Sequence, residues 1–284
     1  MEKKITILPV LILLLMSILW LNGCKSEFEQ IRTSGDVKKI YAKALEYYQA
    51  EEWQKSQTLL EMIIPNVRGT KEAEDVFFKY AYTFYNLRSY TSASYHFKTF
   101  ANTYGASPLR EEAEFMSAYA QYQESPTFRL DQGNTNQAIE EFEFFVNTYP
   151  DSKRVAECNT LIDRLRLKLE IKAFEEGKLY FNLRYYQSAV SAFENLLKDF
   201  PETKNAQEVR LMILRSYYDL ALNSILDKRE ERFKECRRLS AEFLERYPKS
   251  ENLKEVQNIQ DNSNKQLKLL TNVRYQNQSA RSGS

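Results

Sequence analysis

Glycine and proline are scarce, seven of each in 284 residues. That is too few to punctuate the many tight turns of an all-β chain. Histidine occurs once and tryptophan twice. Neither sign of charge dominates: 40 Lys and Arg stand against 39 Asp and Glu, a formal net charge of +1. A chain so balanced, with no long Lys/Arg run, has no bulk attraction for nucleic acid. The lone His96 has no Cys, Asp or Glu constellation around it in sequence, and a catalytic base needs an orienting partner. It reads as a surface or interface residue. No phosphate loop, nucleophile elbow or metal-spaced Cys/His set is present. No catalytic residue, cofactor or metal ligand is therefore expected, and an enzyme is the weaker class. What is abundant is the aromatic ring, with 19 Tyr and 17 Phe. Rings of this kind fill the space between stacked helices of repeat proteins.

The N-terminus has the layout of an export signal. Lys3 and Lys4 precede an apolar stretch from Ile5 to Leu21, interrupted at Thr6, Pro9 and Ser17, which stops at Leu21-Asn22-Gly23-Cys24. The stretch is short of the roughly 20 residues of a membrane span. Leu-x-Gly-Cys resembles the bacterial lipobox. The resemblance implies acylation of the Cys24 sulfur, cleavage before Cys24 and removal of residues 1–23 as a signal peptide. Two or three acyl chains anchor stably at about 0.8 kcal/mol per buried CH₂. Lys25 stands where an Asp would resemble an inner-membrane retention signal, which favours the outer membrane, and Lys25-Ser26-Glu27 only faintly resembles a surface-export tag, so the periplasmic face is expected. The other cysteines, Cys158 and Cys236, fall at apolar positions of predicted helices. They read as small buried hydrophobes, although the periplasm permits a disulfide.

Beyond a short polar tether, residues 24–35, one frame recurs. Ala93, Phe97 and Phe100 lead to Tyr104-Gly105. Ala138, Phe142 and Phe145 lead to Tyr149-Pro150. Ala189, Phe193 and Leu196 lead to Phe200-Pro201. Cys236, Ser240 and Phe243 lead to Tyr247-Pro248. A weaker early copy is Ser56, Leu60 and Ile63. Positions i, i+4 and i+7 share one helix face. The small residue admits a partner helix, the large ones fill the groove beyond it, and proline ends the helix.

A second amphipathic helix precedes each copy. It carries a small residue and then an aromatic three on: Ala44/Tyr47, Ala81/Phe84, Gly177/Tyr180. This helix A, turn, helix B unit resembles the tetratricopeptide repeat. The fold expected is all-α, a tetratricopeptide-like helical solenoid of about five helix-turn-helix units over residues 36–250. Steps of 45, 51 and 47 between Phe100, Phe145, Leu196 and Phe243 exceed the 34-residue period of that family. Two features absorb the excess. Glu124–Asn136 reads as a loop, and Lys153 to about Asn182 reads as one helix of about 45 Å. Residues 251–284 are expected to form a capping helix, Leu253–Leu270, and a disordered tail. Acidic pairs such as Glu140-Glu141 and Glu230-Glu231 read as solvated faces.

An acylated cysteine, about 250 mature residues and five divergent repeats resemble the BamD family, lipoproteins of the outer-membrane β-barrel assembly machine. The stretches that carry the resemblance are Tyr149-Pro150-Asp151-Ser152, the long helix through Arg164-Leu165, Tyr180, and the Asp199-Phe200-Pro201-Glu202-Thr203 turn. Membership implies a scaffold of the Bam complex. Its C-terminal repeats would bind the barrel subunit BamA and its N-terminal repeats would receive unfolded β-barrel substrates. Two positions depart from the pattern: Asn66–Thr70 lacks the Tyr-Pro closure and Gly105 replaces a proline. The alternatives are envelope lipoproteins with similar repeats that coordinate cell-wall synthesis or bind glycans.

Overall fold

In a computed structural model the described residues are 26–282, with side chains through 272; Cys24 lies outside them. Among the described residues there are twelve helices and no strand. They are α1 Glu27–Arg32, α2 Val37–Gln49, α3 Trp53–Val67, α4 Ala73–Asn86, α5 Tyr90–Thr103, α6 Arg110–Glu124, α7 Gly133–Thr148, α8 Val155–Asn182, α9 Tyr186–Asp199, α10 Ala206–Leu222, α11 Leu226–Arg246 and α12 Leu253–Ser282. From α2 to α11 they form five helix A, helix B pairs, the tetratricopeptide-like arrangement. The chain divides into two compact units. Residues up to 125 with 133–159 form the first, and 126–132 with 160–284 form the second.

The helix B frame is the core. Ala93, Phe97 and Phe100 of α5, Ala138, Phe142 and Phe145 of α7, and Ala189, Phe193 and Leu196 of α9 are all buried. So are Cys236, Ser240 and Phe243 of α11, and Ser56, Leu60 and Ile63 of α3. Ser240 fits the frame because its hydroxyl donates to the Cys236 carbonyl, 2.7 Å away, and no polar group is stranded.

Two turns repeat as faithfully as the helices. Between A and B the chain reverses through a left-handed residue, Glu51 (φ 57°), Arg88 (φ 60°) and Arg184 (φ 62°) in the first, second and fourth repeats. In each, the next N–H reaches back five residues: Glu52 to Tyr47, Ser89 to Phe84 and Tyr185 to Tyr180. Glycine is the usual occupant of such a helix-ending position. An L-residue there costs about 1–2 kcal/mol. Arg88→Gly is therefore expected to stabilise the fold by about 0.5–1 kcal/mol, after the entropy cost of a glycine. A urea midpoint that rises at constant slope is the expected reading, and one that falls would count against stored strain.

Between B and the next A, a hydroxyl three residues after the closing aromatic organises the turn. The Ser107, Ser152, Thr203 and Ser250 hydroxyls accept the backbone N–H two residues on, at 3.2, 3.1, 3.0 and 3.1 Å. Each hydroxyl also latches onto the preceding helix A. Ser107 donates to Glu74, Ser152 to Glu111 and Thr203 to Glu170, all at 2.6 Å, while Ser250 accepts from Gln207 at 3.0 Å.

The stretch read as a polar tether is corrected in part. Ser26 caps α1 by accepting the Glu29 N–H, and Phe28 and Ile31 pack onto the core of the first repeat. Phe28 meets Tyr47 edge-on at 6.0 Å, and Lys43 pairs with Glu27 at 2.6 Å. Two apolar side chains at i and i+3 give even this short helix a face to bury. At the other end, α12 continues past Leu270, where the apolar pattern weakens, to Ser282. The loop between α6 and α7 is held within the second unit, where Lys172 donates to the Phe128 and Leu130 carbonyls at 3.2 and 3.0 Å.

Candidate partner-binding surfaces

Helices α2, α4 and α6 place buried Ala44, Ala81 and Ala118 at even steps of 37 residues. Positions one and four after each alanine share the adjacent face. They are occupied by Leu45 and Tyr48, Tyr82 and Tyr85, and Tyr119 and Tyr122, all half-buried. Rings run along this face. Phe115 stacks on Tyr119 at 5.6 Å, Tyr119 on Tyr122 at 5.7 Å, and Tyr85 lies 6.2 Å from Tyr119. The polar ends are fixed: the Tyr41 hydroxyl donates to Asp75, and Tyr82 donates to Glu112 at 2.8 Å. Arg154 pairs with the same Glu112 at 2.6 Å and covers the Phe115 ring at 3.9 Å. Burial, then the bond to Asp75, raises the Tyr41 phenol; burial, then Glu112, raises Tyr82. Burial pushes Tyr48 up to about 12. These phenols stay protonated at neutral pH, so the face offers rings and hydroxyls rather than charge. Sequence reasoning found the aromatics three after the small residue, which face inward. It missed those at one and four, although the step of 37 could have shown them.

The second unit exposes an apolar edge at its A–B turns. Leu183 and Tyr185 lie between α8 and α9; Ile225, 72% exposed, and Leu226 lie at the start of α11. Burial raises the Asp219 carboxyl, and the charge of Arg184 opposes that shift. Charge is divided unevenly. Residues 26–125 and 133–159 hold thirteen Lys and Arg against nineteen Asp and Glu; residues 126–132 and 160–284 hold twenty-four against nineteen. The two units therefore favour partners of opposite sign.

His96 stacks on Phe84 at 4.5 Å and meets Tyr80 edge-on at 5.0 Å. It is half-buried, and burial lowers its pKa. Cys158 and Cys236 are free and buried, with thiols pushed by burial up to about 11 and about 12. Protonated thiols of this kind are unreactive. Glu141 is a correction: it is 8% exposed, not solvated. It accepts from Lys98 of α5 at 2.8 Å and from Ser117 of α6 at 2.7 Å. Among the described residues no group of three His, Cys, Asp or Glu could hold a metal ion. No described helix is long and apolar enough to cross a membrane.

The YfiO family, described as outer membrane lipoprotein, matches residues 33–233. The outer membrane protein assembly factor BamD of Rickettsia prowazekii (strain Madrid E) is 21% identical over 203 residues, 72% of this chain and 81% of that protein. The BamD of Caulobacter vibrioides is 21% identical over 142 residues, 50% of this chain and 47% of that one. Among solved structures, a thermophilic TPR protein of Thermus thermophilus is 15% identical, with 79% of this chain and 98% of that chain covered and a TM-score of 0.29. With a family match that begins at Thr33 in α1's C-cap and ends at Phe233 within α11, the chain belongs to the YfiO family of outer membrane lipoproteins, the BamD family.

Proposed function

We propose that the protein is a lipid-anchored periplasmic scaffold of the outer-membrane β-barrel assembly complex. In this reading residues 1–23 are a signal peptide and acylated Cys24 holds the mature chain to the periplasmic face of the outer membrane. The repeats bind a BamA-like barrel subunit, other complex members and unfolded β-barrel substrates. The observation that carries it is the family match over residues 33–233, together with relatives named as assembly factors.

The two surfaces divide the work. The tyrosine face of α2, α4 and α6 suits extended chain segments, because rings supply area at little entropy cost and their hydroxyls accept or donate to a passing backbone. The apolar, basic second unit suits a folded partner that brings an acidic rim. Neither role requires a catalytic group.

The test is a mild-detergent pull-down of the tagged protein from its native envelope, with mass spectrometry of what accompanies it. A large β-barrel with repeated periplasmic domains, recovered in near-equal amount, is the expected companion. Recovery of cell-wall enzymes or of a glycan importer in its place would overturn the assembly role while leaving the family assignment intact.

A further inference from the structure

One repeat departs from the frame that builds the others. The residue three after the small position of helix A is aromatic in the first, second and fourth repeats, at Tyr47, Phe84 and Tyr180. In the third it is Gln121, which is buried. On helix B, the place that His96 fills in the second repeat, where it stacks on Phe84 at 4.5 Å, is taken in the third by Glu141. A polar seam stands where rings would. Gln121 Nε2 donates to Ser94 Oγ at 3.0 Å, the Ser94 and Ser117 hydroxyls are bonded at 3.1 Å, and Ser117 donates to Glu141 at 2.7 Å. Lys98 Nζ closes the seam on Glu141 at 2.8 Å. Well-packed apolar residues would hold the two repeats together at least as well. Breaks of a local rule without such a gain gather at functional sites.

The seam floors a trough in the first unit. Helices α5 and α7 are its walls and α6 its base, and two open hollows of about 430 and 440 Å³ meet at Lys98, Gln137 and Glu141. Ligand sites fall in this size range. Asn102 and Asn136 stand on the walls, exposed, with amides that nothing else engages among the described residues. Two exposed rings complete the trough. Tyr95 of α5 is 65% exposed, and Phe144 of α7 is 56% exposed although Phe142 and Phe145 are fully buried. Lys98 faces Glu141, 43 residues on. At that offset Tyr95 stands roughly 9 Å along the trough from the level of Phe144.

These facts select a ligand. A peptide is specified by side chains that enter pockets, and an apolar anchor would meet a polar floor here. An anion finds no free cation, because Lys98 is paired with Glu141 and the exposed Glu140 adds a negative charge. A β-linked oligosaccharide meets every condition. It is a flat, uncharged ribbon whose two faces are C–H surfaces that pack on aromatic rings. Its edges carry hydroxyls, which donate and accept as side-chain amides do. Stood on edge, it sets one face on Tyr95 and the other on Phe144, and its hydroxyls meet Asn102, Asn136 and Gln137. We propose that this trough binds a ribbon-like, β-linked glycan chain of neutral sugar units. The inference needs only the first unit and is independent of the assembly role.

The experiment titrates the purified full chain with N-acetylchitotetraose, maltotetraose and a tetra-alanine amide, followed by ligand-observed NMR. N-acetylchitotetraose, a flat β-linked chain, should bind with a Kd on the order of 1 mM. Maltotetraose, whose α-links curve the chain, and the peptide should each bind about tenfold more weakly or not at all. Tyr95→Ala and Phe144→Ala should each weaken the β-linked probe about three- to tenfold, the worth of one ring contact. Tyr95→Phe should keep the affinity. Equal binding of maltotetraose, tighter binding of the peptide, affinity that survives Tyr95→Ala and Phe144→Ala combined, or no binding at all would each overturn the assignment. Thermal melts of the variants separate a lost site from a lost fold.

Discussion

Cys24→Ser is expected to remove the protein from the outer-membrane fraction, the largest change any single substitution should produce. The serine hydroxyl cannot carry the thioether-linked lipid, so the variant should accumulate as an unprocessed precursor or as unanchored protein. The reasoning is energetic. At about 0.8 kcal/mol per buried CH₂, one acyl chain binds marginally and two or three hold firmly, so loss of the attachment atom removes the whole anchor at once. Intact mass of the wild-type protein should exceed that of residues 24–284 by two or three acyl groups and a glycerol. Unchanged fractionation of the variant through a high-salt wash would sink the lipid-anchor proposal.

The second large effect is expected where α8 crosses α9. A Cβ added to Gly177 would lie 2.6 Å from Phe193 Cε1 and 2.8 Å from its Cδ1 and Cζ. Real Cβ atoms do not approach so closely, and Phe193 is fully buried, so its ring has little space to retreat. Gly177→Ala should gain about 1 kcal/mol in helix propensity yet lose about 1–3 kcal/mol to overpacking. Gly177→Leu should lose far more. Phe193→Ala should cost about 3–5 kcal/mol by leaving a cavity. The pair is the sharper test. With the ring gone the added methyl has room, so Gly177→Ala/Phe193→Ala should cost clearly less than the two single changes together. Urea titration of the four proteins reads this coupling. Strict additivity would show that the close approach is not what keeps a glycine at 177.

These results bear on how far the amino-acid order discloses the molecule. The helix B frame was legible because small, aromatic and apolar residues at i, i+4 and i+7 form a stripe that only burial explains, and every member is buried. Gly177 was legible for the same reason. The hydroxyl latches were within reach: Tyr104, Tyr149, Phe200 and Tyr247 are each followed three residues on by Ser or Thr. Their carboxylate partners lie 33 and 41 residues upstream, and no local pattern announces them. Glu141 was misread for a related reason. An acidic pair on a helix suggests solvent, and the groups that satisfy its buried member come from α5 and α6, 43 and 24 residues away. The tyrosine face was half visible. The inward aromatics marked the helices, but the outward ones share their residue type and differ only by a step along the helix.

The short helix α1 has a mechanical consequence. Only Lys25 separates Cys24 from Ser26, the residue that caps α1, and Phe28 and Ile31 fasten that helix to the first repeat. Two residues of extended chain reach about 7 Å. With Cys24 acylated as proposed, the protein is therefore moored on a very short line. A leash of 20 flexible residues would let the repeats roam by roughly 25 Å and tumble to present any side. This one restricts both distance and orientation, so the first repeat stays within a few ångströms of the lipid headgroups. Encounters of the first repeat with other envelope components then become a search in two dimensions.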